Sequence, residues 1–252
     1  MHTLAIVSTK GGVGKTTLAV HLAVAAQHAG VPTLLLDLDP QGSAAQWSKD
    51  RTRLATEHGH WVKTRLEVRR LFANDLSEEI AKAEGEGFGL VIIDTPPHAD
   101  FPAARAAEAA DIVLMPSRPG YFDLHAARAT VSLVNDLKAY AFFVMNQVPH
   151  NSQQIATDAA AFLESKGIHQ APVTVTLLQP YVRALRDGLT APELVPDGRH
   201  AQEIGALWNW LKGELAGLTP KIHAAPEVAT PPKKILDNPF EFLAQKFTEE
   251  VA

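Results

Sequence analysis

Residues 8–17 read STKGGVGKTT, and they lie between the apolar run LAIV (4–7) and the helical stretch LAVHLAVAA (18–26). A glycine-rich turn that follows a buried strand and opens a helix is the pattern of a phosphate-binding loop (P-loop). The glycines let backbone N–H groups converge on phosphate oxygens, and the helix N-terminus adds partial positive charge. The alternative is an ordinary glycine turn before a core helix, which the strand–loop–helix context disfavours.

Individual side chains of the P-loop have different predicted roles. Lys15 is expected to reach the β- and γ-phosphates of a nucleotide, and Thr16 to place its hydroxyl on Mg²⁺. Lys10 is a second lysine that the loop does not need in order to hold its own phosphate. The predicted nucleotide contacts are Gly11, Gly12, Val13, Gly14, Lys15, Thr16 and Thr17.

Two aspartate motifs close other predicted strands, DLDPQG (37–42) and VIIDTPP (91–97). Ligands of parallel α/β sheets bind beyond the carboxyl ends of the strands, so both motifs should lie beside the P-loop. Asp94 is placed to hold Mg²⁺ through water, and Asp39 to join the metal site and to orient or activate the attacking water. A turn or helix cap is the alternative for a lone strand-end aspartate. Asp37 is expected to support the site from behind or only to buttress its loop.

Apolar runs of strand length alternate with helical stretches along most of the chain. Because these runs are apolar on both faces, they predict an α/β fold with a mostly parallel, twisted sheet and helices on both sides. The last helix should bury a stripe formed by Ile204, Leu207, Trp208, Leu211 and Leu215. The predicted strands are LAIVST (4–9), PTLLLDLD (32–39), GLVIIDTP (89–96), DIVLMPS (111–117), YAFFVMNQV (140–148) and PVTVTLL (172–178).

Composition narrows the function further. The chain has 252 residues and no cysteine, which excludes disulfides, thiolate metal sites and iron–sulfur clusters. No secretory signal is evident after Met1, and polar residues interrupt the apolar run Leu18–Ala29, so no membrane span is predicted. We expect a cytoplasmic protein. Its formal net charge of −5 means that nucleic-acid binding would need a local basic patch.

Together, KGGVGKTT, DLDPQGSA and VIIDTPP resemble the ParA/MinD group of deviant Walker A P-loop ATPases. The DPQGSA continuation and the short N-terminus are most similar to small ParA-type partition ATPases, and the resemblance covers about residues 1–217. It implies ATP and Mg²⁺ as cofactors, slow hydrolysis, and a homodimer in which Lys10 reaches the ATP of the partner subunit. A second cation there offsets charge on the transferring and leaving phosphates. The alternative for Lys10 is an exposed lysine at a strand end.

Asn146 and Pro180 are the predicted contacts of the nucleotide base. Asn146 lies near the end of a predicted strand, where its amide can pair with the donor–acceptor edge of adenine, as in some relatives. A strand-end turn cap is the alternative. The stretch LLQPYVRALRDGLTAPEL (177–194) resembles the ParA segment that covers adenine, which implies that Pro180 and Tyr181 flank the base.

The resemblance also implies non-specific DNA binding by the ATP dimer, which requires basic residues that face phosphate. The expected contacts are Arg183, Arg186 and Arg199, and the run Lys49–Arg70 is either a further basic segment or an ordinary charged surface. No helix-turn-helix precedes the P-loop, so operator-specific binding is not expected. An adaptor or activator of ParB type and an association with the nucleoid are further implications.

Three segments are predicted: a P-loop ATPase domain (1–218), a proline-rich linker (219–238) and a C-terminal amphipathic helix (239–252). A MinD-like membrane helix is the alternative for the last segment, but its three glutamates against one lysine would be repelled by anionic lipid. We therefore expect no membrane partner. The resulting hypothesis is an ATP-dependent dimerising switch that positions or segregates plasmid, chromosome or protein cargo. A MinD-like regulator and a metabolic relative on the same scaffold are the alternatives.

Overall fold

A computed structural model describes residues 1–58, 64–98, 100–150, 152–165, 167 and 169–223. Within these ranges, seven strands form a single sheet in which every neighbouring pair is parallel. The strands are β1 (His2–Ile6), β2 (Thr33–Asp37), β3 (Leu66–Arg70), β4 (Leu90–Asp94), β5 (Ile112–Ser117), β6 (Ala141–Met145) and β7 (His169–Gln170). Their order is β3-β2-β4-β1-β5-β6-β7, which places the strand before the P-loop at the centre.

Helices cover both faces of this sheet. They are α1 (Lys15–His28), α2 (Ser43–His58), α3 (Leu76–Gly85), α4 (Asp100–Ala109), α5 (Tyr121–Asp136), α6 (Gln153–Glu164), α7 (Gln179–Arg186), α8 (Ala191–Leu194) and α9 (Arg199–Ala216). Alternate residues along β1 and just after it face opposite cores. Leu4 and Ile6 pack with α1 and α9, whereas Ala5 and the following Val7 belong to the core under α3–α6. Fully burying a leucine or isoleucine contributes about 1.5–3 kcal/mol, so these two cores hold the layers together. The predicted fold class is confirmed, and the five residues of the predicted α9 stripe are all buried.

Local sequence explains several helix boundaries. Gly30 follows α1 in the left-handed region (φ +84°), where a residue with a Cβ is disfavoured. Thr190 and Glu193 form a capping box at α8, and Pro180 occupies the first turn of α7, where the missing N–H costs nothing. In the part of the chain that the structure describes, no helix is long and apolar enough to cross a bilayer.

The predicted strand PVTVTLL (172–178) is wrong. Only Thr176 forms a bridge, with Val148, and the seventh strand is the two-residue β7 that precedes this segment. Pro172 has no N–H to donate to a ladder. The amide and hydroxyl of Thr176 instead donate to the Glu203 carboxylate of α9, at 2.9 and 2.6 Å. The neighbouring amides of Val175 and Leu177 still donate to the Met145 and Val148 carbonyls, so the segment keeps a single bridge but forms no continuous strand.

A second difference is the edge strand β3, which sequence periodicity did not predict. It lies at the end of the basic run Lys49–Arg70. Arg69 pairs with Glu67, Glu79 and Glu86 at 2.5–2.7 Å. Arg65 also pairs with Glu67 and Glu86. Arg69 of β3 and Arg65 just before it thus form a charged, paired sheet edge, which protects the edge from pairing with another chain.

Of the two predicted segment boundaries, the one at Leu218 lies within the described residues and the one at residue 238 does not. Past the predicted domain end at Leu218, the chain still contacts the domain, because the Lys221 amide donates to Asp111 Oδ1 at 2.7 Å. The remainder of the predicted linker (224–238) and the predicted amphipathic helix (239–252) lie outside the described residues.

Candidate nucleotide-binding site

The P-loop connects β1 to α1 and contains two glycines in the left-handed region. Gly12 has φ +73° and Gly14 has φ +89°. A Cβ built on Gly14 would lie 2.5 Å from Asn146 Nδ2, so only glycine fits beside that amide. The loop therefore has the tight, side-chain-free path that lets backbone N–H groups approach phosphate.

Lys15 is buried at the start of α1, and its ammonium donates to the Lys10 carbonyl at 3.2 Å. Burial lowers the pKa of Lys15, whereas the nearby carboxylates of Asp94 and Asp39 oppose this shift. The arrangement places one cation and two carboxylates around the entrance of α1. Among the described residues, the Lys10 ammonium has no hydrogen-bond or ion-pair partner of its own.

Asp94, the last residue of β4, is fully buried, and neither carboxylate oxygen has a hydrogen-bond partner among the described residues. Burial raises the pKa of Asp94 to about 7. The Thr16 hydroxyl opposes that shift without forming a hydrogen bond of normal geometry, and Lys15 opposes it as well. Buried carboxylate oxygens without partners are costly, and a cation beside them removes that cost. Thr16 and Asp94 therefore fit a Mg²⁺ ion, which prefers oxygen ligands and retains several waters.

The two aspartates of the β2 motif play different parts. Asp37 is buried and accepts the amides of Asp39 and Ala45 at 3.1 and 3.0 Å, so it buttresses its loop. Burial raises the pKa of Asp37. Asp39 is half-buried and accepts the Gln41 amide at 2.9 Å, which leaves the rest of its carboxylate directed at no described partner. Its predicted roles in metal binding and water activation stay predictions.

A cavity of about 200 Å³ opens beside the P-loop. Its walls are mostly apolar, which suits the flat face of a nucleotide base. Pro180 lies in α7 between two lining residues and does not itself line the cavity. The lining residues are Thr17, Leu18, His21, Asn146, Gln147, Val175, Thr176, Leu177, Leu178, Tyr181, Val182, Leu185 and Ile204.

Asn146 directly follows β6 and points its amide at the P-loop. Its Nδ2 donates to the Val13 carbonyl at 2.7 Å, and its Oδ1 accepts the Gln147 amide at 2.9 Å. The side chain thus lines the base cavity and braces the P-loop at the same time. Its role as a contact of the base remains a prediction, and the strand-end cap is also present.

His21 and Glu203 are site residues that the sequence reasoning missed. His21 is buried beneath the cavity, and burial lowers its pKa to about 4, so the ring is neutral. Its Nε2 accepts the Ala191 amide at 2.9 Å, which leaves Nδ1 to donate to the Thr17 carbonyl at 2.7 Å. Glu203 holds the cavity wall through Thr176. Buried polar residues on otherwise apolar helix stripes are the sequence signal that could have identified both.

Arg118 and Gln147 were also missed, although both lie within two residues of the end of a strand. Arg118 comes after β5 and Gln147 after Asn146, so both stand at the carboxyl edge where ligands of such sheets bind. Both side chains reach the Gly12 carbonyl of the P-loop. The same edge rule that selected Asp39 and Asp94 would have found them.

The predicted DNA contacts do not form one unpaired patch. Arg199 donates to Glu203 at 2.7 Å, and Arg186 lies 3.1 Å from Asp187. Arg183 is exposed on α7 without a described partner. DNA binding through these three residues stays a prediction.

Comparison with known proteins now decides the family. The profile of the CobQ/CobB/MinD/ParA nucleotide-binding domain matches residues 4–184. The chain belongs to this family. The predicted resemblance to ParA/MinD ATPases is confirmed, and so, at the level of the family, are the predicted cofactors ATP and Mg²⁺.

The curated relatives and solved structures that this chain resembles are named for different cellular structures. The maintenance of carboxysome distribution protein A of Gloeobacter kilaueensis is 31% identical over 220 residues, which are 84% of this chain and 93% of the relative. The chromosome-partitioning ATPase Soj of Thermus thermophilus is 30% identical over 155 residues, and the match covers 54% of this chain and 62% of the length of Soj. The septum site-determining protein MinD of Pyrococcus horikoshii, solved with Mg-ADP, superposes with a TM-score of 0.68 at 18% identity. The superposition covers 88% of this chain and 99% of the MinD chain.

Proposed function

We propose that the chain is an ATP-dependent dimerising switch that hydrolyses ATP slowly, binds DNA non-specifically as the ATP dimer, and positions or segregates a cargo. Similarity to a carboxysome distribution protein and to a chromosome-partitioning ATPase supports the general role. The observation that carries the specific proposal is the difference between the two lysines of the P-loop. Lys15 is buried within its own subunit, whereas the Lys10 ammonium has no partner among the described residues.

Within one subunit, the P-loop amides and Lys15 bind the phosphates of ATP. Thr16 and Asp94 hold Mg²⁺, with Asp39 completing the oxygen set, and the ion neutralises charge on the phosphates when it is bound. The base enters the cavity beside Asn146, close to the turn that carries Pro180. The unpartnered oxygens of Asp94 and the apolar cavity support these assignments.

Dimerisation completes the site from the second subunit. Lys10 extends from the outer side of the P-loop to the phosphates of the partner's ATP, where its charge stabilises the transition state. Asp39 orients the attacking water. Hydrolysis is slow in a single subunit because one cation of the site is missing until two ATP-bound subunits meet.

DNA binding follows from assembly, because each subunit contributes basic residues to a shared surface. Arg183 is the strongest candidate, since Arg186 and Arg199 are each paired with a carboxylate. Nucleoid association, an adaptor of ParB type and a plasmid, chromosome or protein cargo complete the proposal. The names of the carboxysome and chromosome relatives support this class of cargo.

A MinD-like membrane-associated regulator is the second candidate, because the matching family model covers MinD as well as ParA. The two candidates differ in the surface that the ATP form binds. Sedimentation of the ATP-loaded protein with duplex DNA, and separately with anionic liposomes, distinguishes them. We expect ATP-dependent binding to DNA that weakens steeply with salt, and no pelleting with liposomes.

The dimer is tested with Asp39→Ala, which should bind ATP, fail to hydrolyse it and accumulate as a dimer in light scattering. Lys82→Ala, an exposed change on α3, serves as the control and should behave like the unmodified protein. An Asp39→Ala protein that stays monomeric with ATP would contradict the proposed role of Asp39. If the ATP-loaded protein did not bind duplex DNA at low salt, the proposed DNA-binding surface would be ruled out.

A further inference from the structure

Arg118 and Gln147 form a closed hydrogen-bonded triangle with one carbonyl of the P-loop. Gln147 Nε2 donates to the Gly12 carbonyl at 3.2 Å, and the Arg118 guanidinium donates to the same oxygen. Arg118 Nε in turn donates to Gln147 Oε1 at 2.6 Å. We call these two side chains the Gly12 clamp. They come from the ends of β5 and β6, more than 100 residues from the P-loop in sequence.

The backbone at Gln147 is held in an unfavourable conformation. Its φ of +54° lies in the left-handed region, which residues other than glycine, asparagine and aspartate rarely adopt. Such residues concentrate at functional sites, where surrounding contacts over-determine them. Here the contacts are the two side-chain bonds of Gln147 and the bond of its amide to Asn146 Oδ1.

The geometry of the peptide unit gives the clamp a consequence for phosphate binding. In a planar trans peptide, the C=O and the following N–H point in opposite directions. Holding the Gly12 carbonyl on the outside of the loop therefore aims the Val13 N–H towards the inside. Asn146 does the same for the next peptide, because it binds the Val13 carbonyl and so fixes the Gly14 N–H. These inward N–H groups are the donors that a P-loop offers to phosphate.

We infer that Arg118 and Gln147 are positioning residues that fix the Gly12–Val13 peptide for phosphate binding before the nucleotide arrives. The inference rests on the proposed nucleotide site and adds residues outside the P-loop motif to it. Two donors on one carbonyl restrict rotation of the peptide plane more than one donor would, and the guanidinium bond is charge-assisted. Pre-ordering removes an entropic cost that binding would otherwise carry.

The inference predicts equal effects on ATP and ADP, because the loop amides contact phosphates that both nucleotides share. We would measure the dissociation constants of fluorescent ATP and ADP analogues, and the nucleotide-free Tm, for Arg118→Ala and Arg118→Lys. Arg118→Ala should weaken both nucleotides about tenfold, the scale of one lost charge-assisted bond. Arg118→Lys should restore only part of the loss, because an ammonium cannot bond Gly12 and Gln147 with a planar fork.

Gln147→Gly separates positioning from folding. Glycine removes the left-handed strain, so the nucleotide-free Tm should stay level or rise, while both nucleotides bind more weakly. Hydrogen exchange of the Val13 amide in the nucleotide-free protein should accelerate in Arg118→Ala and Gln147→Gly. Arg53→Ala, an exposed arginine on α2, is the matched control and should change neither property.

Several outcomes would overturn the inference. Weaker ATP binding with unchanged ADP binding would assign Arg118 to the γ-phosphate instead. If the Tm fell together with nucleotide affinity in both variants, the Gly12 clamp would be a folding contact. If nucleotide affinity did not change, the clamp would have no positioning role. If the unmodified protein bound neither nucleotide, the proposed function itself would fail, which is a separate result.

Discussion

Two buried aspartates, one where the parallel strands begin (the amino edge) and one where they end (the carboxyl edge), show how differently one residue type is used. At the amino edge, Asp111 accepts the amide and hydroxyl of Thr3 at 2.7 and 3.0 Å and the Lys221 amide at 2.7 Å. At the carboxyl edge, Asp94 is fully buried, yet its oxygens have no hydrogen-bond partner among the described residues. A satisfied buried carboxylate stabilises a fold, whereas an unsatisfied one costs stability and indicates a site for a missing ligand.

The largest expected effect is on stability at the amino edge. Asp111→Ala leaves the buried Thr3 amide without an acceptor and removes the acceptor of the part-buried Lys221 amide, while the Thr3 hydroxyl keeps the Ala109 carbonyl, and we expect a loss of about 3–5 kcal/mol in the free energy of unfolding. Chemical denaturation of the nucleotide-free protein measures it. Nucleotide affinity of the folded fraction should not change. An Asp111→Ala variant as stable as the unmodified protein would show that Asp111 does not stabilise the fold, and the difference drawn between Asp111 and Asp94 would then be wrong.

The next effect is the pH dependence that Asp94 gives the nucleotide-free protein. Because burial raises its pKa to about 7, the folded state holds a proton between about pH 4 and 7 that the unfolded state has released. Stability from this group therefore falls as pH rises through that window, by about 2–4 kcal/mol. Denaturation at pH 5 and pH 8 for the unmodified protein and Asp94→Asn tests this, since the variant should lack that part of the dependence. Identical profiles would contradict an unpartnered Asp94.

The third effect is smaller in free energy and concerns Lys15, where ATP binding and the stability of the nucleotide-free fold should respond differently. Lys15→Ala should weaken ATP binding by at least about 100-fold, which corresponds to about 2.7 kcal/mol. Because burial already lowers the pKa of Lys15, its removal should leave the nucleotide-free Tm level or higher. Calorimetric titration with ATP and a thermal melt give the two numbers. A large fall in Tm would place Lys15 with Asp111 among the stabilising residues.

The smallest effect concerns Lys10, the free lysine of the same loop. Lys10→Ala should change ATP affinity by less than about twofold, while hydrolysis falls about tenfold, because its charge acts only in the transition state of an assembled dimer. Steady-state phosphate release and ATP titration give the two values. Complete loss of ATP binding would instead assign Lys10 to the nucleotide of its own subunit.

The sequence predicted what local patterns determine. Glycines at fixed spacing between a strand and a helix identified the P-loop, and strand-end position identified Asp94. The strand-end rule also covers Arg118 and Gln147, but the P-loop carbonyl that both side chains bind is known only from the folded sheet, so their role could not be predicted. The predicted strand at 172–178 was wrong because Pro172 has no N–H to donate and backbone pairing with the β6 side stops at a single bridge, while the Thr176 amide bonds to Glu203 of α9. The edge strand β3 was missed because its Arg69 is paired with Glu79 and Glu86 of the neighbouring segment rather than buried, so the strand lacks an apolar pattern.

The contacts of Asp111 also bring distant parts of the chain together. His2 Nδ1 lies 3.6 Å from one Asp111 oxygen, and the Lys221 amide binds the other. The beginning of β1 and the last described residues therefore meet at one carboxylate, on the edge of the sheet opposite the P-loop. A circularly permuted chain could join these two points with a short linker and open elsewhere. In such a chain the nucleotide site would keep its order of strands, since every crossover that shapes the P-loop lies between the joined ends.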